Sequence, residues 1–156
     1  MNAMAPTRPA DLHVCRVRLT AGPAAAAEAR GQVRAAIRAW DIPVDEDVAV
    51  LLASELVTNA VMHQAGRTLT LVLSCSPGQL RVDVHDTSRS LPVLASAPAG
   101  ADTETGRGLM LVDTLSDEWG SYRTPAGKAV YFTLAFQPGL AGSGERGLRG
   151  VQAWGL

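Results

Sequence analysis

The chain contains one apolar segment with three regularly placed polar residues, Ala53-Ser54-Glu55-Leu56-Val57-Thr58-Asn59-Ala60-Val61-Met62-His63. Glu55, Asn59 and His63 follow one another at intervals of four residues. Positions i, i+4 and i+8 lie along one face of a helix, so a carboxylate, an amide and an imidazole would share one stripe. Polar groups in such a segment need partners. They are either hydrogen-bonded internally to neighbouring backbone, or they form one wall of a ligand or metal pocket.

Composition limits the class of protein. The chain has 156 residues, 47% of them hydrophobic and only 4% aromatic, which indicates one globular domain with a real core. A formal net charge of −1 gives no general case for nucleic-acid binding. The apolar runs are too short to span a membrane and the N-terminus lacks an apolar signal core, so we expect a cytoplasmic protein. The two cysteines do not have metal-ligand spacing.

The periodicity of apolar residues predicts the order strand, helix, helix, hairpin, long loop, helix, hairpin. This order predicts an α/β (α+β) sandwich of two layers, with a mixed, mostly antiparallel sheet and helices on one face. We expect a flexible leader at 1–11, a domain at 12–136 and a Gly-rich, disordered tail at 137–156. The predicted elements are strands at 13–19, 67–76, 79–86, 117–124 and 128–136, helices at 23–40 and 45–66, and a third helix that the Gly106–Gly108 pair opens and that runs to about 116.

Two further features lie outside the polar stripe. Asp86 ends a strand and opens a long loop, so it either makes a specificity contact or hydrogen-bonds its own backbone in a turn. Gly106-Arg107-Gly108 ends that loop and is predicted to open the third helix. Glycines let backbone N–H groups approach a ligand, and a helix N-terminus attracts phosphate. The alternative for this glycine pair is a hinge without a ligand.

Together these features supply a carboxylate base, an oxygen ligand suited to Mg²⁺, an acceptor for an amino group and a phosphate cradle. They predict a nucleotide site that lacks a Walker-type loop. Glu55-x-x-x-Asn59-Ala60-x-x-His63, then Asp86, then Thr105-Gly106-Arg107-Gly108-Leu109 resemble the N, G1 and G2 boxes of the GHKL (Bergerat) ATP-binding fold, the superfamily of gyrase, histidine kinases and MutL. The resemblance covers residues 13–136, and it is closest to stand-alone bacterial anti-sigma-factor serine/threonine kinases.

The resemblance implies roles for single residues. Asn59 would ligate Mg²⁺, Asp86 would accept from the adenine amino group, and Glu55 would be the general base. The segment 87–105 would be the ATP lid, and the backbone around Gly106 and Gly108 would wrap the phosphates. The implied ATP-binding set is Asn59, His63, Asp86, Ser88, Thr105, Gly106, Arg107, Gly108, Leu109 and Thr133.

The chain departs from the family pattern at two places. Asp86-Thr87-Ser88-Arg89-Ser90 lacks the glycines of the fuller G1 box. Ala129 lies where relatives often carry a threonine near adenine, and Thr133 is the substitute predicted for it. Both departures concern the adenine end of the site, whereas Glu55 and Asn59 are intact.

Three functions follow from this sequence. The first is an ATP- and Mg²⁺-dependent protein kinase that phosphorylates a serine on an anti-sigma antagonist of the STAS type and so controls a sigma factor and transcription. The second is a catalytically weak or inactive module that binds a partner protein in an ATP-dependent way, as the altered G1 segment suggests. The third is a structural domain that uses the polar stripe internally and binds no ATP. The resemblance also implies a homodimer, and neither nucleic acid nor a membrane is an expected partner.

Overall fold

The computed structural model describes residues 13–64, 66–88 and 103–137. The predicted leader at 1–11, most of the loop after Asp86 and the tail beyond Gln137 lie outside the described residues. The elements in chain order are β1 (His13–Thr20), α1 (Ala25–Trp40), α2 (Glu46–Gln64), β2 (Thr68–Ser76), β3 (Gln79–Asp86), α3 (Thr103–Leu115), β4 (Glu118–Arg123) and β5 (Lys128–Ala135).

The five strands within the described residues form one sheet in the order β1-β2-β3-β5-β4. Every neighbouring pair is antiparallel. The two-layer α+β architecture predicted from the sequence is therefore confirmed, although no parallel pairing occurs among the described strands. The last strand, β5, lies between β3 and β4, which brings Asp86 opposite Lys128.

One face of the sheet, here called the helix-covered face, forms the core. Every second residue of each strand points to this face. Cross-strand pairs such as Leu71 with Val84 and Val82 with Phe132 place these side chains next to one another. Each of these four residues is almost fully buried. The helices pack on this face, α1 against β1 and β2, and α2 against β3 and β5. The burial of Leu52, Leu56 and other apolar residues of α2 in the same cluster holds that helix in place.

The opposite face of the sheet, here called the open face, carries Arg81, Asp83, Tyr122, Tyr131 and Thr133. No described helix packs against it. None of the helices in the described ranges has both the length and the apolar character needed to cross a membrane.

The third helix begins earlier than predicted. It starts at Thr103, so Gly106 and Gly108 lie within its first two turns and do not precede it. The C-terminal end of the predicted lid at 87–105 therefore overlaps the start of this helix. Glycine costs about 1 kcal/mol relative to alanine inside a helix, so a glycine within these turns needs a structural reason. The packing of α3 against α2 at Gly108 accounts for a glycine at that position.

Candidate functional site

Helix α2 places the polar stripe. Its N-terminus is capped by Asp45, whose Oδ1 accepts a hydrogen bond of 3.1 Å from the backbone N–H of Val48. Along the helix, Glu55 and Asn59 are half-buried, and His63 in the last turn is exposed. The predicted stripe therefore runs from the interior at Glu55 to the surface at His63.

Asn59 has an unsatisfied side-chain oxygen. Its Oδ1 is buried, and no described donor lies within hydrogen-bonding distance. A buried acceptor without a partner costs about 1–3 kcal/mol, and a ligand that supplied the missing contact would remove that penalty. An amide oxygen is a ligand that Mg²⁺ accepts, and Mg²⁺ needs only one or two protein oxygens when phosphates and water supply the rest. Asn59 thus has the chemistry of the metal ligand expected from the sequence.

Glu55 lies directly against the third helix. A Cβ atom placed on Gly108 would lie 2.6 Å from Glu55 Oε1 and 3.7 Å from Glu55 Cδ. Gly108 is buried, so the carboxylate occupies the space that any larger residue would need. The structure therefore brings together Glu55 and Gly108, two of the predicted site residues, with Asn59 one turn further along the same helix.

Asp86 ends β3 on the helix-covered face, and both of its carboxylate oxygens already have partners. Oδ1 accepts from the backbone N–H of Ser88 at 2.7 Å, and Oδ2 accepts from Lys128 Nζ at 2.8 Å. The first contact is the backbone turn considered as the alternative role for Asp86. The second is an ion pair in which both side chains are more than nine-tenths buried.

Gly127 makes this ion pair possible. A Cβ on Gly127 would overlap the backbone carbonyl oxygen of Asp86, so only glycine allows the β4–β5 turn to lie so close to the end of β3. Lys128 follows immediately, opposite Asp86 in the register. The sequence reasoning missed Lys128. The available signal was a lysine opening an otherwise apolar strand just after a Pro-Ala-Gly turn.

The structure does not bring Thr133 to Asp86. Residues directly opposite each other in a sheet share a face, and Lys128 shares the helix-covered face with Asp86. Thr133 is five positions beyond Lys128 and therefore lies on the open face, as does Ala129. Thr133 Oγ1 is buried and has no partner among the described atoms, but it is on the wrong side of the sheet for the predicted adenine contact.

The remaining predicted residues lie around the two helices. Ser88 is half-buried, and its backbone N–H contributes to the site through Asp86. Leu109 is buried in α3, while Thr105, Gly106 and Arg107 lie in its first turns, and their side chains are outside the described part of the structure. The free N–H groups of a helix are its first four, so here they belong to 103–106, and Gly108 provides space for Glu55.

A second polar cluster lies on the open face, away from the predicted site. Arg81 donates two hydrogen bonds to Asp83, of 2.9 and 3.0 Å, and Tyr122 donates one of 2.8 Å to Asp83 Oδ2. The guanidinium of Arg81 lies 4.0 Å from the ring centre of Tyr131. Burial, and then the neighbouring Asp83 carboxylate, raise the pKa of Tyr122. We regard this cluster as a structural cover for the centre of the sheet.

Comparison with known proteins places this geometry in a family. Residues 19–134 match the family described as histidine kinase-like ATPase domain, and the chain belongs to that family. An uncharacterized protein of Streptomyces coelicolor is 35% identical over 89 residues, which cover 56% of this chain and 85% of the relative. A histidine kinase domain from the blue-light activated histidine kinase of Erythrobacter litoralis EL346 is 24% identical, with a TM-score of 0.45. The match covers 74% of this chain and 64% of that chain.

Family membership implies that the chain binds ATP, and the residues present fit that ligand at several points. Asn59 offers a buried oxygen without a partner, and Glu55 lies beside a glycine of the third helix. Within the described ranges no three His, Cys, Asp or Glu residues cluster as a metal site. Asn59, together with the nucleotide phosphates, would hold a bound Mg²⁺.

Proposed function

We propose that the chain is a regulatory serine/threonine protein kinase that uses ATP and Mg²⁺ and transfers the γ-phosphate to a serine of a partner protein. The partner class is the STAS-type antagonist of an anti-sigma factor, so that the kinase controls a sigma factor and, through it, transcription in the cytoplasm. The observation that carries this proposal is the unpartnered, buried Oδ1 of Asn59, one helical turn from the Glu55 carboxylate.

The chemistry assigned to each residue is simple. Bound Mg²⁺ would neutralise charge on the phosphates, and Asn59 would hold it. Glu55 would accept the proton of the attacking serine hydroxyl and orient that hydroxyl toward the γ-phosphorus. Phosphoryl transfer depends mainly on positioning and charge stabilisation, which such a site supplies. Gly108 contributes by leaving room for the Glu55 side chain.

An ATP titration with and without Mg²⁺ tests the proposed site. Asn59→Ala should abolish the Mg²⁺-dependent part of the affinity, and Asn59→Asp should retain it, because a carboxylate oxygen also ligates Mg²⁺. Thr58→Ala changes the adjacent, exposed position of α2 and serves as the control. Equal Mg²⁺ dependence in the wild type and Asn59→Ala would remove Asn59 from the metal site.

A transfer assay tests the kinase activity itself. Purified STAS-type antagonist proteins are incubated with ATP, Mg²⁺ and the chain, and phosphoserine is measured by mass spectrometry. We expect phosphoserine with the wild type and a loss of about 10²–10⁴-fold with Glu55→Gln, the usual contribution of a general base. ATP binding without transfer to any antagonist would contradict the kinase proposal.

The second candidate is an ATP-dependent binding module without catalysis. It is favoured by the altered G1 segment, Asp86-Thr87-Ser88-Arg89-Ser90, which lacks the glycines of the fuller box. Calorimetry separates the two candidates. ATP affinity and partner affinity that are both unchanged in Glu55→Gln, in a protein without transfer activity, would support the module.

A further inference from the structure

The buried pair of Asp86 and Lys128 combines a hydrogen-bond acceptor with a donor at the adenine end of the site. Their Nζ–Oδ2 distance is 2.8 Å, and only 6% and 2% of the Lys128 and Asp86 side chains are exposed. An ammonium group has three donors, and among the described residues Asp86 uses one of them. A carboxylate oxygen has a second lone pair, so Oδ2 can accept another donor while it remains paired with Lys128.

We infer that Lys128 is a base-specificity residue, which donates a hydrogen bond to N1 of adenine while Asp86 accepts from the 6-amino group. This inference rests on the proposed ATP site. It identifies the residue that contacts N1, the second hydrogen-bonding position on the edge of the adenine base. Lys128 is the cross-strand partner of Asp86 on the helix-covered face, whereas Ala129 and Thr133 lie on the open face. No other side chain of β5 is both polar and on the same face as Asp86.

The partners of Asp86 favour adenine over guanine. Ser88 N–H donates to Oδ1, whereas Oδ2 is the carboxylate oxygen that lies beside the lysine donor. Adenine presents one donor, the 6-amino group, next to one acceptor, N1. In the same orientation guanine would place its O6 acceptor against the Asp86 carboxylate and its N1–H donor against the Lys128 ammonium group, so neither contact could form. The pair as arranged therefore matches the edge of adenine.

Atomic substitution in the nucleotide tests this inference without changing the protein. Affinities of the wild type for ATP, 1-deaza-ATP, 7-deaza-ATP and GTP are measured by calorimetry with Mg²⁺. 1-Deaza-ATP replaces the N1 acceptor by C–H and should bind about 10- to 100-fold more weakly, the range for a hydrogen bond donated by a charged group. 7-Deaza-ATP changes the opposite edge and should bind like ATP, and GTP should bind more weakly than ATP.

Variants then assign the effect to Lys128. In Lys128→Met the affinity for ATP should fall to that of 1-deaza-ATP, and the difference between the two nucleotides should vanish. Purine riboside triphosphate, which lacks the 6-amino group, should still bind more weakly than ATP to this variant, because that difference belongs to Asp86. Lys128→Arg retains a donor and should restore part of the preference for ATP. Removal of one partner of a buried ion pair destabilises a protein, so folding of Lys128→Met is verified by circular dichroism.

The outcomes separate this inference from the proposed function. Equal binding of ATP and 1-deaza-ATP to the wild type, or tighter binding of GTP, would overturn the role of Lys128 while leaving an ATP-binding protein. Failure of ATP and 7-deaza-ATP to bind at all would overturn the proposed function together with the inference.

Discussion

The contact between Gly108 and Glu55 predicts that one added methyl group, in Gly108→Ala, lowers catalytic activity while the stability of the protein stays nearly unchanged. In Gly108→Ala the new Cβ would lie 2.6 Å from Glu55 Oε1, whereas an ordinary contact begins at 3.4 Å. The carboxylate must therefore retreat by roughly 0.8 Å. It is the end of a flexible side chain, so the side chain shifts and the two helices stay in place.

The expected free energies nearly cancel. A side chain driven away from its preferred rotamer costs about 0.5–1.5 kcal/mol. Replacement of glycine by alanine inside a helix gains about 1 kcal/mol. We therefore expect the free energy of unfolding of Gly108→Ala to be within about 1 kcal/mol of the wild type. Misplacement of a catalytic group by about 1 Å lowers turnover on the order of 10²-fold, and we expect a loss of that size in phosphoryl transfer.

The assay compares urea unfolding, ATP affinity and the rate of phosphoserine formation in three proteins. Gly31→Ala is the matched control, because Gly31 also lies inside a helix but has nothing within 4 Å of its Cβ position. This control should be slightly stabilised and fully active. Normal activity of Gly108→Ala would refute the role of Glu55 as a positioned base. A loss of several kcal/mol in stability would show instead that the helix contact is rigid.

Three further predictions concern stability and reactivity. Tyr122→Phe removes the hydrogen bond to Asp83 and should cost about 1 kcal/mol below pH 10. Because the pKa of Tyr122 is raised in the folded protein, this stabilisation should be lost as the pH rises from 10 through the raised pKa. Urea unfolding of the wild type and Tyr122→Phe that differs by the same free energy at pH 8 and pH 11 would contradict this. Burial also raises the pKa of the Cys75 thiol, so a thiol reagent should label half-buried Cys15 first. Cys15→Ser should then remove the fast phase of labelling. Rapid labelling of both thiols would be inconsistent with the fold. Asp45→Ala should lower the free energy of unfolding by about 1 kcal/mol and Asp45→Asn by much less, and equal losses would exclude the capping role.

Local sequence patterns predicted most of the fold because its elements are locally determined. The alternation of apolar residues in β2 and β3 and the turn between them specify a hairpin, and Asp45 marks the start of α2. The four-residue spacing of Glu55 and Asn59 needed only helical geometry. These patterns act over a few residues, so they can be read without knowledge of the rest of the chain.

The part that could not be predicted depends on contacts between distant segments. The sequence indicates a hairpin of β4 and β5, but it does not say which of the two strands pairs with β3. That pairing fixes the partner of Asp86 as Lys128 and places Thr133 on the open face. The early start of α3 also involves a distant segment, because Gly108 lies against Glu55 of α2 and the low helix propensity of glycine gives no sign of that contact.

The strand order also determines when a nascent chain becomes able to bind its nucleotide. Strands β1, β2 and β3 are neighbours in space, so most of the sheet can form while the polypeptide is still being synthesised. However, β5, the other neighbour of β3, is the last of the five described strands to leave the ribosome. Asp86 and Lys128, which form the buried pair, are 42 positions apart in the chain. Until β5 is synthesised, β3 is an edge strand with unpaired backbone groups, which can pair with other chains. Ribosome-bound chains that end before Lys128 should therefore be protease-sensitive and should not retain ATP, and release of the following residues should complete both the sheet and the site.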